Sequence, residues 1–303
     1  MRKEQALPLI LFIALLILPF AVKGYAVYLL YMVFLYIVLA ESWNIIGGYA
    51  GQVCLGMGAF FGLGAYIAAV LSFNCFPPPL SIFIGGCTAA LLGVIIFPTF
   101  RLRGVYFAIG TLFLPDIIKV IILNLEVTGG AKGFFLPLTF ALDITHWYIA
   151  ALILASITVL FAFKMSNSRI GLVFKAIRDD EDASESCGIN PFKYKILAMM
   201  LASFLSGLAG GIYAHQMLFL EPHGTFKLMW SIGPVFMCII GGVGSIIGPI
   251  IGAGIFTALS LWLVTLVGEV DLIVMGVILI VVILTMPGGI FGALNKRVKL
   301  KLS

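Results

Sequence analysis

Charge is what this sequence has least of. Asp, Glu, Lys and Arg make up 10% of its 303 residues, where soluble domains carry about 25%. Hydrophobic residues reach 62%, and the mean hydropathy is +1.18. A chain so poor in polar side chains cannot cover itself in water, which excludes a soluble globular protein and leaves lipid as its main solvent. Cys54, Cys75, Cys87, Cys187 and Cys238 form no CxxC or Cys/His pattern, so neither a disulfide framework nor a metal site is implied. His146, His215 and His223 are too scattered to form a catalytic cluster. No glycine is followed by lysine, so the phosphate loop G-x-x-x-x-G-K-[ST] is missing. If ATP drives this protein, another subunit binds it. Alternating apolar and polar residues are also absent, which argues against a β-barrel.

What is present is a series of apolar runs. A helix needs about 20 such residues to cross the hydrocarbon core. Ten runs qualify, near 7–22, 25–46, 52–73, 80–98, 105–124, 146–164, 195–217, 229–246, 248–267 and 271–287. The third, eighth and ninth are interrupted by glycine or proline and are expected to be broken or re-entrant. The first follows Arg2 and Lys3 like a signal peptide. Lys23 interrupts "FAVKGYA" and leaves no small-residue cleavage site, so it is read as an uncleaved span.

Charge sign then sets orientation. With the N-terminus inside, Arg2, Lys3, Arg101, Arg103, Lys164, Arg169, Lys175, Arg178, Lys193, Lys195, Lys296, Arg297, Lys299 and Lys301 are cytoplasmic, which is 14 of the 18 basic residues. Lys23, Lys132 and Lys227 lie outside, and Lys119 falls within a span. This bias predicts two cytoplasmic termini. It makes the net charge of +5 a topology signal, so nucleic acid is not an expected partner.

One stretch breaks the hydrophobic monotony: "SNSRIGLVFKAIRDDEDASESCGINPFKYK", residues 166–195. From 167 onward it carries five basic and five acidic residues, a balance that suits protein docking better than attraction to anionic lipid. Asp179–Glu181 favour a helix start, Gly188 follows a helix end, and Pro191 forbids continuation. A short helix over 180–187 is predicted, with Ala183 and Cys187 on one small face. A solvated helix without a partner is the plain alternative.

Glycine is the other abundance. Seven glycines fall between Gly47 and Gly64, although each costs roughly 1 kcal/mol relative to Ala inside a helix. A phosphate cradle, a hinge and a flattened packing surface are the competing explanations, and the missing phosphate loop removes the first. Gly58-x-x-x-Gly62, flanked by Gly56 and Gly64, would let another backbone approach closely, as helices in lipid require. Gly248 and Gly252 in "GPIIGAG" offer the same surface. A broken helix lining a path is the sharper alternative. "IIGGYAG" at 45–51 and "IIGGVG" at 239–244 are near-copies. Spans 2–5 (25–124) and 7–10 (195–287) therefore read as two halves of opposite orientation, an arrangement that places a path between them.

Several stretches together resemble one family, the permease subunits of ABC importers for branched-chain amino acids. They are "SWNIIGGYAGQVCLGMGAFFGLGAY" (42–66), "RLRGVYFAIGTLFLPDIIKVIILN" (101–124), "TGGAKG" (128–133), "SRIGLVFKAIRDDEDASESCGINPFKYKILA" (168–198), "SGLAGGIYAHQ" (206–216) and "GGVGSIIGPIIGA" (241–253). The resemblance implies an all-α integral membrane protein of the vitamin B12-type importer fold, with about ten transmembrane helices (eight to ten). It implies a single permease domain over 1–303 in the plasma (inner) membrane, pairing with a second permease to form half of a translocation path. It further implies two ATP-binding subunits, an extracytoplasmic solute-binding protein, and no cofactor on this chain. "DASESCG", Asp182–Gly188, resembles the EAA-x3-G loop of ABC permeases, with Asp for Glu and Ser for the second Ala. The resemblance thereby casts Arg178, Asp182, Ala183, Glu185 and Gly188 as ATPase-coupling residues, with Arg178 and Glu185 at its rim.

Ionisable groups inside spans mark function by default, since a charge at mid-bilayer costs at least ~2.5 kcal/mol. Asp116 and Lys119 are spaced to neutralise one another, or else line the path, and Pro115 would loosen the helix there. Glu41, beside Asn44 near the inner end of span 2, is expected to snorkel or to pair across helices. A secondary transporter or channel would also fit the spans, but one ion pair and one lone carboxylate are few for ion coupling. A membrane enzyme would need catalytic groups that are not clustered here.

Overall fold

The computed structural model describes residues 12–19, 22, 24–102, 104–137, 142–267, 271–285 and 288–292. The basic ends (Arg2, Lys3 and Lys296–Lys301), with Lys23 and Arg103, lie outside the described residues.

Apolar runs become helices because in lipid a backbone must satisfy its own hydrogen bonds. Helix α1 covers 12–19, and α2 (Tyr25–Trp43) continues into a six-residue π-helix, Asn44–Tyr49. Next come α3 (Met57–Phe73), α4 (Pro78–Ile95), α5 (Val105–Leu112) and α6 (Leu114–Asn124). After α7 (Ile144–Ser166) come two helices of the charged stretch, α8 (Arg169–Asp179) and α9 (Glu181–Ser186). The chain then runs through α10 (Pro191–Met217), the single turn α11 (Pro222–Thr225), α12 (Met229–Gly241), α13 (Ile247–Val267) and α14 (Asp271–Thr285). Among the described residues six helical segments are long and apolar enough to cross a membrane: 25–49, 78–95, 105–124, 144–166, 191–217 and 222–241. Two shorter apolar helices are Met57–Phe73 and Ile247–Leu263.

The interruptions fall where backbone chemistry dictates. The run 52–73 is helical only from Met57, because Gly51–Gly56 is irregular, with Cys54 and Gly56 buried and Val53 exposed. Side chains serve its backbone there: Trp43 Nε1 donates to Cys54 O at 2.7 Å, and the amides of Leu55 and Gly58 donate to Thr111 and Ser231, each at 3.0 Å. Such backbone survives at membrane depth only when protein encloses it. The run 105–124 divides at Phe113, since Pro115 two residues on removes an amide from the ladder. The ninth run, by contrast, forms the continuous helix α13, and the eighth keeps Pro234 inside α12 and ends at Gly241.

Packing follows the glycines. Helix α10 lies against α3 and α4, α12 against α13, and α2 touches α7, α10, α12 and α13. A Cβ on Gly64 of α3 would sit 2.5 Å from Gly207 Cα of α10, so only two glycines permit that crossing. Within this trio His215 is a satisfied core residue. It donates from Nδ1 to Gly211 O at 2.8 Å and accepts from Ser72 Oγ at 2.8 Å. At the opposite end from α8–α9, Phe134 and Phe135 pair with Leu220 and Phe219 as a two-residue antiparallel ladder.

Candidate coupling site

Helix α9 is built by local rules. Asp180, extended at φ −158°, accepts from Ala183 N at 3.0 Å and caps the first turn, where Glu181 and Asp182 suit the positive end of the helix dipole. Gly188 closes it at φ +84°, with Gly188 N bonded to Glu185 O and Ile189 N to Ser184 O. Asn190 then caps α10 through Lys193 N at 3.1 Å, and Pro191 occupies the first helical position.

The short helix has two faces. Ser184 is buried against the protein, whereas Asp182, Ala183, Glu185, Cys187 and Gly188 are exposed. Its base is clamped: Lys195 of α10, only 1% exposed, pairs with Glu181 Oε2 at 2.6 Å. Sequence reasoning counted Lys195 only for topology. Its partner lies fourteen residues away across a helix break, a spacing that no periodicity signals.

Arg178 has one bond inward and the rest at the surface: Nη1 donates to Gly48 O at 2.9 Å, and Nε and Nη2 donate to the exposed Asp179 Oδ1 at 3.1 Å. Its side chain is 38% exposed. Its stem packs on Gly51, where an added Cβ would meet Arg178 Cα at 3.0 Å. The last turn of α8 is thus fastened to the π-helix that ends span 2.

The π-helix is fastened in turn to the second glycine motif. Asn44, fully buried, donates from Nδ2 to Ser245 O at 2.8 Å and accepts from Gly244 N at 2.9 Å. A Cβ on Gly48 would fall against the Asn44 amide and 2.8 Å from Gly244 N, so glycine is required for that approach. The near-copies at 45–51 and 239–244 therefore meet in space. Asn44 is bonded to Ser245 and Gly244, Gly48 packs against the Asn44 amide, and Arg178 bonds Gly48 O from the end of α8, the helix that leads into α9. π-Helical turns mark functional sites in many proteins.

The remaining candidates divide. Glu41 does not snorkel: it is fully buried, one oxygen facing Asn44 Nδ2 at 3.4 Å and the other without a hydrogen-bond partner. Asp116 and Lys119 do pair, on a face of α6 where Asp116 is 60% exposed and Ile117, Val120 and Ile121 are exposed too. Gly56 abuts Thr111 O, Gly58 Ser231 Oγ, Gly62 the Phe226 ring, Gly248 Ser245 Oγ and Gly252 Met237 O. All five glycines lie at close contacts, and α3 spends each of its own on a different neighbour.

A family model described as the permease component of the branched-chain amino acid transport system matches residues 25–283. The chain belongs to that family. It is a transport permease, not an enzyme. The high-affinity branched-chain amino acid permease LivM of Escherichia coli K12 is 28% identical, over 95% of this chain and 76% of its own. A probable LivM of Methanocaldococcus jannaschii is 26% identical over 57% of this chain and 52% of its own. The autoinducer 2 import permease LsrC of Yersinia pseudotuberculosis IP 31758 is 25% identical over 74% of this chain and 61% of its own. No solved structure matches.

Proposed function

We propose that this permease is half of the translocation path of an ABC importer for branched-chain amino acids, moved by ATP-binding subunits that grip α9. The observation that carries this reading is the pairing of opposites in α9. Its outer face is small, acidic and uncovered by the described residues, while its base is locked to α10 by Lys195–Glu181 and, through Arg178, to the motif seam. A rigid foot of this kind can pass force inward, and ordered backbone at the seam can pass it to both halves.

In this reading residues 25–124 and 195–287 are inverted halves, and 166–195 is the cytoplasmic coupling segment. The ten crossings are α1, α2, α3, α4, α5 with α6, α7, α10, α12, α13 and α14, in a vitamin B12-type arrangement with both termini cytoplasmic. The importer holds a second homologous permease, two ATP-binding subunits that alone carry ATP, and an extracytoplasmic solute-binding protein that supplies most of the selectivity. Asp182, Ala183, Glu185 and Gly188 contact the ATP-binding subunit, and Arg178 acts as the internal anchor. Asp116 and Lys119 ride on an exposed apolar face that faces the path or the second permease, since an ion pair facing acyl chains would be costly. Glu41 and Asn44 hold the seam.

Cross-linking tests the assignment. Ala183→Cys should form a disulfide with a cysteine placed in the groove of the ATP-binding subunit. Leu125→Cys, at the opposite end, should not. Equal cross-linking of both, or of neither, would overturn it.

A further inference from the structure

A cleft of about 340 Å³ opens where α7 ends and α13 begins, one layer away from the motif seam. Its polar lining is Tyr49, Ser166, Lys175 and Ser245, and Phe163 and Ile247 form apolar walls. Two of the four polar groups are already committed: Ser166 Oγ donates to Phe163 O at 3.0 Å and Ser245 Oγ to Gly242 O at 2.7 Å. The other two are not. The Tyr49 hydroxyl is buried and completes no well-formed hydrogen bond among the described residues, although the Ser166 and Asn44 side chains lie near it. Lys175 Nζ makes one long bond, 3.3 Å to Ser166 O, and pairs with no carboxylate among the described residues. The Lys175 ammonium can only donate and a phenolic hydroxyl can donate as well as accept, so an anionic acceptor in the cleft would satisfy both. The N-terminus of α13, where Ile247 lines the mouth, adds partial positive charge.

The walls decide what carries the anion. Phe163 is 56% and Ile247 51% exposed, and each lies at the extreme end of an apolar helix, where headgroups meet acyl chains. A free phosphate would leave these walls bare.

We propose that this cleft is a binding site for an anionic phospholipid, its phosphate on Lys175 and Tyr49 and its upper acyl chain along Phe163 and Ile247. The bound lipid buttresses Gly244 and Ser245, the two residues that receive Asn44, so it steadies the seam through which α9 acts. The lipid site is independent of which solute is carried.

Native mass spectrometry of the assembled importer in mild detergent, with added phosphatidylglycerol, phosphatidylcholine or inorganic phosphate, tests it. Phosphatidylglycerol should stay bound and raise the thermal unfolding midpoint, while phosphatidylcholine and phosphate should do neither. Lys175→Gln should weaken phosphatidylglycerol binding about fivefold, the effect of one cation at a membrane surface. Lys175→Arg should retain it, Tyr49→Phe should weaken it less than Lys175→Gln, and Lys132→Gln at the far end should change nothing. Equal binding of phosphatidylcholine, binding of phosphate alone, or full binding by Lys175→Gln would each overturn the proposal. So would cross-linking of Phe163→Cys to the ATP-binding subunit, which would mean that protein covers the cleft.

Discussion

Asn44 connects two stretches of chain 200 residues apart, and its removal strands a backbone amide and a carbonyl. Each orphaned group is only part-buried and costs about 1 kcal/mol, the lower end for an unsatisfied group, so Asn44→Leu should lower the unfolding midpoint in detergent. Gly48→Ala should destabilise for a different reason, collision with the same amide. Because the two share one space, the double variant Asn44→Ala/Gly48→Ala should be less destabilised than the sum of its parts. Strict additivity in thermal unfolding would mean that the two residues do not meet. The Lys195–Glu181 pair offers an asymmetry. Glu181→Gln leaves an ammonium that is 1% exposed without its carboxylate, at a cost of ~3 kcal/mol, the lower end for breaking a buried pair. Lys195→Met leaves Glu181, 26% exposed and able to turn toward water, and should cost ~1 kcal/mol, as for a largely solvated pair. Equal losses in chemical unfolding would contradict the burial argument.

Helices α3 and α10 cross at Gly64 and Gly207, backbone on backbone. Gly64→Val should force them apart and reduce the yield of folded protein severely, as overpacking by rigid backbone contact costs at least ~1–3 kcal/mol. Gly254 of α13 faces open space, so Gly254→Ala should leave yield and melting unchanged. Losses of similar size in the two variants would refute the packing role. How much of this was legible in sequence depends on the kind of signal. The apolar runs were plain, because span length and composition are set by the bilayer and need no tertiary knowledge. The cap residues Asp180, Gly188 and Pro191 announced α9, since capping is local chemistry. The irregular 51–56 segment and the division at Phe113 were only half visible. Glycine and proline mark where a helix weakens, but Thr111, Trp43 and Ser231, which satisfy the freed groups, come from elsewhere in the fold. The inward bond of Arg178 is hidden from the sequence for the same reason. Its partner is a backbone carbonyl, and a carbonyl has no sequence signature. Asn44 was noticed as a polar residue in a span, yet nothing in either glycine motif said that the two would meet.

Across the protein as a whole, a line of contacts runs from the end of α8 through Arg178 and Gly48 to Asn44 and Ser245, and in the proposed reading it joins an exposed foot to the seam between two halves. It has no ATP-binding motif of its own to drive it. In the proposed reading motion enters from partner subunits, and stiffness along this route should matter more to transport than to ATP hydrolysis. Gly188 is the position where the two can be separated. A Cβ added there meets nothing within 4 Å among the described residues, and the strain of a positive φ is about 1–2 kcal/mol, too little to unfold the protein. The most direct measurement is leucine uptake into vesicles holding the complete importer, alongside its ATP hydrolysis, for the wild type and Gly188→Trp. The wild type should take up leucine only with ATP and all subunits present, and Gly188→Trp should lose uptake while hydrolysis persists. Uptake by this chain alone, or undiminished uptake by Gly188→Trp, would contradict the account.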